Sequence, residues 1–183
     1  MTQLEVLLLV LGNLNRLGLK YMLTGAYAVS FYGKPRTTHD IDFKIAINYA
    51  DISKVNDAFK DMFYVDEVMI KEAIRHQQMF NIIHNETQTK VDFWIVTDTE
   101  FDQERFKRRL KINILNTQAF ISTAEDLILI KLKWYQESDL QKHYEDAKGI
   151  FEIQSSLDIP YIKKWSKKLS IENIVENILK QIG

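Results

Sequence analysis

The sequence contains no cysteine, which excludes disulfide bonds and thiol chemistry and is typical of proteins from a reducing compartment. We therefore predict a cytoplasmic protein. The sequence also has no excess of one sign of charge: it contains 24 Lys and Arg and 25 Asp and Glu, which gives a formal net charge of −1. The chain therefore has no overall basic field to attract a nucleic acid, and any such contact needs a local patch.

Long hydrophobic segments are also missing. The longest early apolar run, residues 6–11, is too short to cross a bilayer. It follows Glu5 rather than a basic segment and lacks a small-residue cleavage site, so we expect neither a signal peptide nor a membrane partner. We predict that it forms the buried face of a first helix. The 183 residues, 46% of them hydrophobic, suffice for one ordinary core.

Hydrophobic spacing predicts an α/β part followed by a helical part. Thr2 and Glu5 form a capping box for a helix that ends near Leu17. Further helices are predicted at 26–32, 51–62, 101–109, 124–136, 142–151, 159–169 and 171–182, and strands at 21–24, 39–47, 78–84, 89–96, 112–115 and 119–121. Residues 78–96 read as a hairpin. Because no linker separates the halves, we predict an α/β core of residues 1–122 with a packed helical part, residues 123–183.

The most informative short motif is Asp40-Ile41-Asp42, inside a predicted strand. Successive side chains of a strand alternate between its faces, so the two carboxylates point the same way. Two like charges this close repel each other, and burying either one unpaired is costly. We therefore expect a cation between them. Hard oxygen ligands and the absence of cysteine favour Mg²⁺ or Mn²⁺ over zinc.

A third carboxylate, Asp92, lies in residues 90–96, a run otherwise suited to a buried strand. A lone carboxylate there needs a partner. If its strand lies beside that of Asp40, all three carboxylates converge. Taken alone, Asp92 could instead form an ion pair with Lys44 or Arg36.

A glycine turn precedes the paired aspartates. Gly25 opens a short helix whose free backbone N–H groups and dipole suit a phosphate, and a glycine lets the backbone approach it closely. Lys34 and Arg36 follow and could hold further phosphate oxygens. The order of the elements is a strand, a glycine, a short helix, a basic loop and an Asp-x-Asp strand. This order is suited to a site that binds a triphosphate and its metal ions.

Residues 23–43, with Asp92, resemble the signature of the nucleotidyltransferase superfamily. The sequence is most similar to a group of small nucleotidyltransferase-like proteins related to the abortive-infection and toxin–antitoxin branch. Similar motifs continue at residues 79–83, 106–109, 123–132 and 142–150. Two positions depart from the pattern: Ala26 replaces the second Gly or Ser of the turn, and Ala124 replaces a proline.

The resemblance implies a mixed-sheet nucleotidyltransferase core and transfer of an NMP from an NTP, with Mg²⁺ or Mn²⁺ as cofactor. The resemblance leaves the acceptor open among RNA, a protein and a small molecule. Asp40, Asp42 and Asp92 are then the catalytic and metal-binding residues. The implied nucleotide-binding residues are Gly25, Ala26, Arg36, Lys131 and Asp146.

Other interpretations remain open. The chain could be an antitoxin-like or regulatory binding module that keeps the fold without turnover. Without the resemblance, Lys131 would be interpreted as a solvated lysine on an amphipathic helix, although its apolar neighbours favour some burial and hence a partner. Arg108 and Arg109 could contact a polyanion, but a solvated basic face is the preferred interpretation.

Overall fold

A computed structural model of the protein describes residues 1–182. The chain forms two compact units: a sheet unit, residues 1–27 and 37–121, and a helical unit, residues 28–36 and 122–182. Residues 28–36 therefore group with the later helices, although they precede most of the sheet in sequence. The predicted packing of the helical part on the core stays a prediction.

The sheet unit is built on one mixed sheet. Its strands are β1 (Lys20–Leu23), β2 (Asp40–Ala46), β3 (Phe63–Tyr64), β4 (Met79–His84), β5 (Lys90–Ile95), β6 (Leu110–Ile114) and β7 (Thr117–Ile121). Their order in the sheet is β3-β4-β5-β2-β1-β7-β6. Strand β2 is parallel to β5 and β1 is parallel to β7, while the other neighbours are antiparallel. This architecture confirms the predicted α/β class and the β4–β5 hairpin.

The helices of the sheet unit are α1 (Gln3–Arg16), α3 (Ile52–Phe59), α4 (Glu67–His76) and α5 (Glu100–Arg108), and α2 (Gly25–Tyr32) begins in it. The predicted capping box of α1 is present: the backbone N–H of Thr2 donates to Oε2 of Glu5 over 2.6 Å, and that of Glu5 donates to the Thr2 hydroxyl over 3.3 Å. Gly18 follows the helix with a φ of 65°. Residues 6, 7, 10 and 11 are buried, as predicted.

Stacked aromatic rings form the core on one face of the central strands. The ring of Phe93 stacks on Phe43 at 5.5 Å and on Phe80 at 5.1 Å between ring centroids. Because side chains alternate along a strand, filling this face with Phe43 and Phe93 turns the neighbouring Asp42 and Asp92 to the opposite face. The core thus positions the carboxylates.

Two elements between residues 63 and 76 were not predicted. Strand β3 has only two residues, too few for an alternating pattern. Helix α4 buries Ile70 and Ala73 but exposes Val68 and Met69, so its apolar residues do not mark one face. The predicted helix 51–62 is shorter than expected: a 3-10 turn (Tyr49–Asp51) precedes α3, and residues 60–62 form a turn after its last residue, Phe59.

The helical unit contains α6 (Ala124–Ser138), α7 (Gln141–Ile153), α8 (Ile159–Lys168) and α9 (Glu172–Ile182). Thr123 caps α6 by accepting the N–H of Asp126 over 3.2 Å. The buried Asp126 also accepts a 2.6 Å hydrogen bond from the Tyr161 hydroxyl, which ties α8 to α6. Within residues 1–182, no helix has the length and apolar character needed to span a membrane.

Candidate functional site

The turn at Gly25 fits closely against Asp42. The backbone N–H of Thr24 donates to the Asp42 carbonyl over 2.9 Å, which joins the end of β1 to β2. Gly25 has a φ of +62°, and a Cβ at this position would lie 2.0 Å from Oδ2 of Asp42. Glycine is therefore required at this position for two reasons: the positive φ of the backbone, and the carboxylate that occupies the space where a Cβ would lie. Helix α2 begins at Gly25, followed by the buried Ala26.

The two Asp-bearing strands lie side by side in register. Strands β2 and β5 are parallel neighbours, with Asp42 opposite Asp92 and Asp40 opposite Lys90. Adjacent strands are about 4.8 Å apart, and paired residues share a face. The predicted placement of Asp92 on the strand beside Asp40 and Asp42 is confirmed.

Lys90 lies between two of the carboxylates, a contact that was not predicted from the sequence. Its Nζ is 2.9 Å from Oδ2 of Asp92 and 3.8 Å from Oδ1 of Asp40. The hydrogen bond to Asp92 raises the pKa of Lys90. A signal was available, because Lys90 and Asp92 are two residues apart in a predicted strand and hence share a face.

Asp92 is the most buried of the three carboxylates, at 6% exposure. Burial raises the pKa of its carboxyl, and the nearby charge of Asp40 raises it further, while Lys90 lowers it in part. Its Oδ1 is buried without a hydrogen-bond partner. Asp92 is thus a carboxylate whose affinity for a proton or a cation is higher than usual.

The residues fit a divalent cation in part. Hard carboxylate oxygens on one sheet face, together with the unsatisfied Oδ1 of Asp92, suit Mg²⁺ or Mn²⁺. Asp40 and Asp92 already approach one cationic group, the ammonium of Lys90. Yet within residues 1–182 no three acidic or histidine side chains are gathered closely enough to make a complete metal site.

The other predicted residues cluster within the helical unit. Nε and Nη2 of Arg36 donate to the two oxygens of Asp146 over 2.8 and 3.1 Å. Nζ of Lys131 lies 2.8 Å from Oδ2 of the same carboxylate. Burial raises the pKa of Asp146, but Arg36 and Lys131 lower it by more, so it lies below its ordinary value. The structure brings these three residues together.

Lys131 is 2% exposed, which excludes its interpretation as a solvated lysine and confirms that it is buried with a partner. Its Nζ also lies 5.4 Å from the ring centroid of Trp134. The cluster thus places two cations, Arg36 and Lys131, against one buried carboxylate.

The alternative pairing of Asp92 with Lys44 or Arg36 is wrong, because both cations have other carboxylate partners. Lys44 donates to Oδ2 of Asp102 over 2.7 Å and to the Ile95 carbonyl over 3.0 Å, while Arg36 binds Asp146. A sequence could not show this, since Lys44 and Asp102 are far apart along the chain.

Comparisons with solved structures show the fold. An antigenic nucleotidyltransferase-like protein from Paracoccidioides brasiliensis is 14% identical, with a TM-score of 0.66 over 97% of this chain and 87% of its own. The antibiotic-resistance factor ANT(2'')-Ia is 12% identical, with a TM-score of 0.62 over 96% and 97% of the two chains. The chain therefore shares the nucleotidyltransferase-like fold of these two proteins.

The lincosamide antibiotic adenylyltransferase LnuA, solved with lincomycin bound, is also similar, at 14% identity and a TM-score of 0.55 over 84% of this chain and 99% of its own. No family model matches the sequence, and no curated protein matches it. The resemblance in sequence to the superfamily is thus supported at the level of the fold, and the relation to the toxin–antitoxin branch stays a prediction.

Proposed function

We propose that this protein is a metal-dependent nucleotidyltransferase that moves an NMP from an NTP to an acceptor. The observation that carries the proposal is the contact of Gly25 with Asp42, which in turn lies in register with Asp92. A structural sheet does not need a positive-φ glycine against a carboxylate, or a buried aspartate opposite another aspartate. A triphosphate site needs both a close backbone approach and hard oxygen ligands.

The reaction would displace pyrophosphate. The acceptor's oxygen forms a bond to the α-phosphorus. The bond between that phosphorus and the oxygen that bridges the α- and β-phosphates breaks, and pyrophosphate leaves with the electron pair of the broken bond. Asp92, with its raised pKa, is suited to take the acceptor's proton. Asp40 and Asp42, with Asp92, would hold Mg²⁺ or Mn²⁺, which when bound neutralises charge on the triphosphate.

Backbone groups at the start of α2 would contact the phosphates. Gly25 and Ala26 lie at the helix N-terminus, where free N–H groups and the helix dipole favour an anion. We also assign Arg36, Lys131 and Asp146 to nucleotide binding. This assignment rests on the sequence resemblance, and it is supported by the contact of both cations, Arg36 and Lys131, with Asp146.

The acceptor is open among RNA, a protein and a small molecule. Two structural neighbours favour testing small molecules first: one is described as a lincosamide adenylyltransferase, and ANT(2'')-Ia was solved with adenylyl-2''-tobramycin. At 11–14% identity the acceptor does not transfer to this chain, so lincosamides and aminoglycosides are only the first members of a panel.

A labelled-nucleotide screen tests the proposal. Each of the four α-labelled NTPs is incubated with the protein and Mg²⁺ or Mn²⁺, against an antibiotic panel, total RNA and a cell lysate. Label transferred to an acceptor, with release of pyrophosphate, supports the proposal. Tight binding of Mg²⁺–NTP in calorimetry without any turnover supports the alternative, a regulatory or antitoxin-like module on the same fold. If the protein neither binds a nucleotide nor transfers the label, both the proposal and its alternative are contradicted.

A further inference from the structure

One cavity of the sheet unit is separate from the three carboxylates of the proposed metal site, none of which lines it. It measures about 670 Å³ and lies at the far ends of β2 and β5, next to Ala46 and Ile95, where Lys20 and α5 also line it. A cavity of about 430 Å³ adjoins it and shares Gly18, Leu19, Lys20 and Arg109. Ala46 follows Asp42 by four residues of extended chain, roughly 13 Å along the strand.

Three cations line the larger cavity: Lys20, Lys107 and Arg109. In the part of the chain that the structure describes, none of them is paired with an acidic side chain. The carboxylate of Asp51 also lines the cavity, but it already accepts the N–H of Asn48 over 3.0 Å and lies 3.7 Å from Lys54. The cavity therefore carries uncompensated positive charge.

Arg109 is held in place by aromatic rings. Its guanidinium carbon lies 4.4 Å from the ring centroid of Phe106 and 5.4 Å from that of Phe120. One Nη donates to the Phe106 carbonyl, while Nε is buried without a hydrogen-bond partner. A buried unsatisfied donor is costly, and a guanidinium fixed in advance binds an anion with little loss of entropy. Both features favour an anionic ligand with several acceptor oxygens.

We propose that this cavity binds a phosphate group, with Arg109 as its anchor and Lys20 and Lys107 as further contacts. Phosphate matches the three donors better than a single carboxylate does, because it presents three or four acceptor oxygens. The group belongs either to a nucleic-acid strand or to a free phosphorylated metabolite. The site is distinct from the proposed metal site and does not depend on the proposed function.

The test measures binding in the presence of EDTA, so that no metal-dependent site contributes. Inorganic phosphate is titrated by calorimetry, and a labelled single-stranded RNA oligonucleotide by fluorescence anisotropy. Arg109→Met is expected to weaken binding of both probes at least about tenfold, because at least one charge-assisted hydrogen bond is lost. Lys20→Ala and Lys107→Ala should weaken it severalfold, and as exposed positions they leave folding unaffected.

The matched control is Lys71→Ala, which removes the same charge from an exposed position on α4 outside both cavities. It should bind like the wild type. Oligonucleotide binding more than tenfold tighter than phosphate binding identifies a strand as the source, and comparable affinities identify a free phosphorylated molecule. Wild-type affinity in all three cavity variants, or no binding of either probe at millimolar concentration, would overturn the proposal.

Discussion

The ammonium of Lys90 donates to Asp92, two residues further along β5, over 2.9 Å, and also lies 3.8 Å from Asp40. It thus stands between two of the carboxylates proposed to hold a divalent cation. An ammonium and a metal ion at the same carboxylates repel each other, so the two should compete.

Removing this ammonium should strengthen metal binding. Lys90→Met keeps the length of the side chain and removes its charge. We expect Mn²⁺ affinity to rise by up to roughly fivefold, which corresponds to the free energy of a partly exposed ion pair. Mn²⁺ titrations followed by electron paramagnetic resonance measure this directly. Weaker Mn²⁺ binding in the variant would show that Lys90 supports the site instead of competing for it.

Gly25→Ala should disrupt the turn. The substitution strains a φ of +62° and places a methyl group 2.0 Å from Oδ2 of Asp42. We expect a loss of about 2 kcal/mol or more in the free energy of unfolding, together with the loss of nucleotide transfer. Chemical denaturation measures the first effect.

Gly12→Ala is the matched control for this substitution. Gly12 lies inside α1, and a Cβ there meets no atom within 4 Å. The same substitution should therefore stabilise the protein by about 0.5–1 kcal/mol through helix propensity. Equal effects at the two glycines would contradict the close fit of Gly25 against Asp42.

Lys131→Ala should affect both stability and nucleotide binding. It removes one of the two cations that neutralise the buried Asp146, at a cost of about 3 kcal/mol in unfolding free energy. If the nucleotide assignment is right, NTP binding also weakens by about 1.5–3 kcal/mol. Lys133→Ala on the same helix breaks only an exposed pair with Glu137 and should change stability by less than about 0.5 kcal/mol. Unchanged NTP affinity in a folded Lys131→Ala protein would limit that residue to a structural role.

His143 should make the helical unit sensitive to acid. Burial and the charge of Lys131 lower the pKa of His143 from 6.5 to about 4, and its Nδ1 is buried without a partner. Between these values the unfolded chain binds a proton that the folded chain does not. The stability contributed by the neutral imidazole is therefore fully present above pH 6.5 and is lost as the pH falls toward 4.

His143→Phe removes this titration and keeps a ring against Trp134, which lies 5.5 Å away between centroids. Urea unfolding at pH 7 and pH 5 should show a smaller loss of stability in the variant than in the wild type. The same pH dependence in both proteins would assign the acid sensitivity to other groups.

Local patterns predicted much of the fold. The alternation around Asp40 and Asp42 predicted β2, and the Thr2–Glu5 pair predicted the start of α1. Both depend on neighbours in sequence. Helix α4 was missed because exposed Val68 and Met69 obscure its buried face, and its placement depends on the tertiary structure.

Pairing over long distances was harder to predict. The position of Asp92 opposite Asp42 was a conditional prediction, because nothing local chooses which strands of a mixed sheet become neighbours. For the same reason, the ion pair of Lys44 with Asp102 could not be predicted from the sequence. The position of Lys90 could have been predicted, because the alternation of side chains along a strand places it on the same face as Asp92.

The substitution Asp42→Asn tests the central claim most directly. It keeps the shape of the side chain beside Gly25 and removes one charge, while Asp61→Asn removes a charge from an exposed position of the same unit. In the wild type and in Asp61→Asn, we predict that Mn²⁺ raises the melting temperature and that labelled NMP is transferred to the acceptor. In Asp42→Asn both should be lost while the circular dichroism spectrum stays unchanged. An Asp42→Asn protein that transfers the label at the wild-type rate would contradict the account.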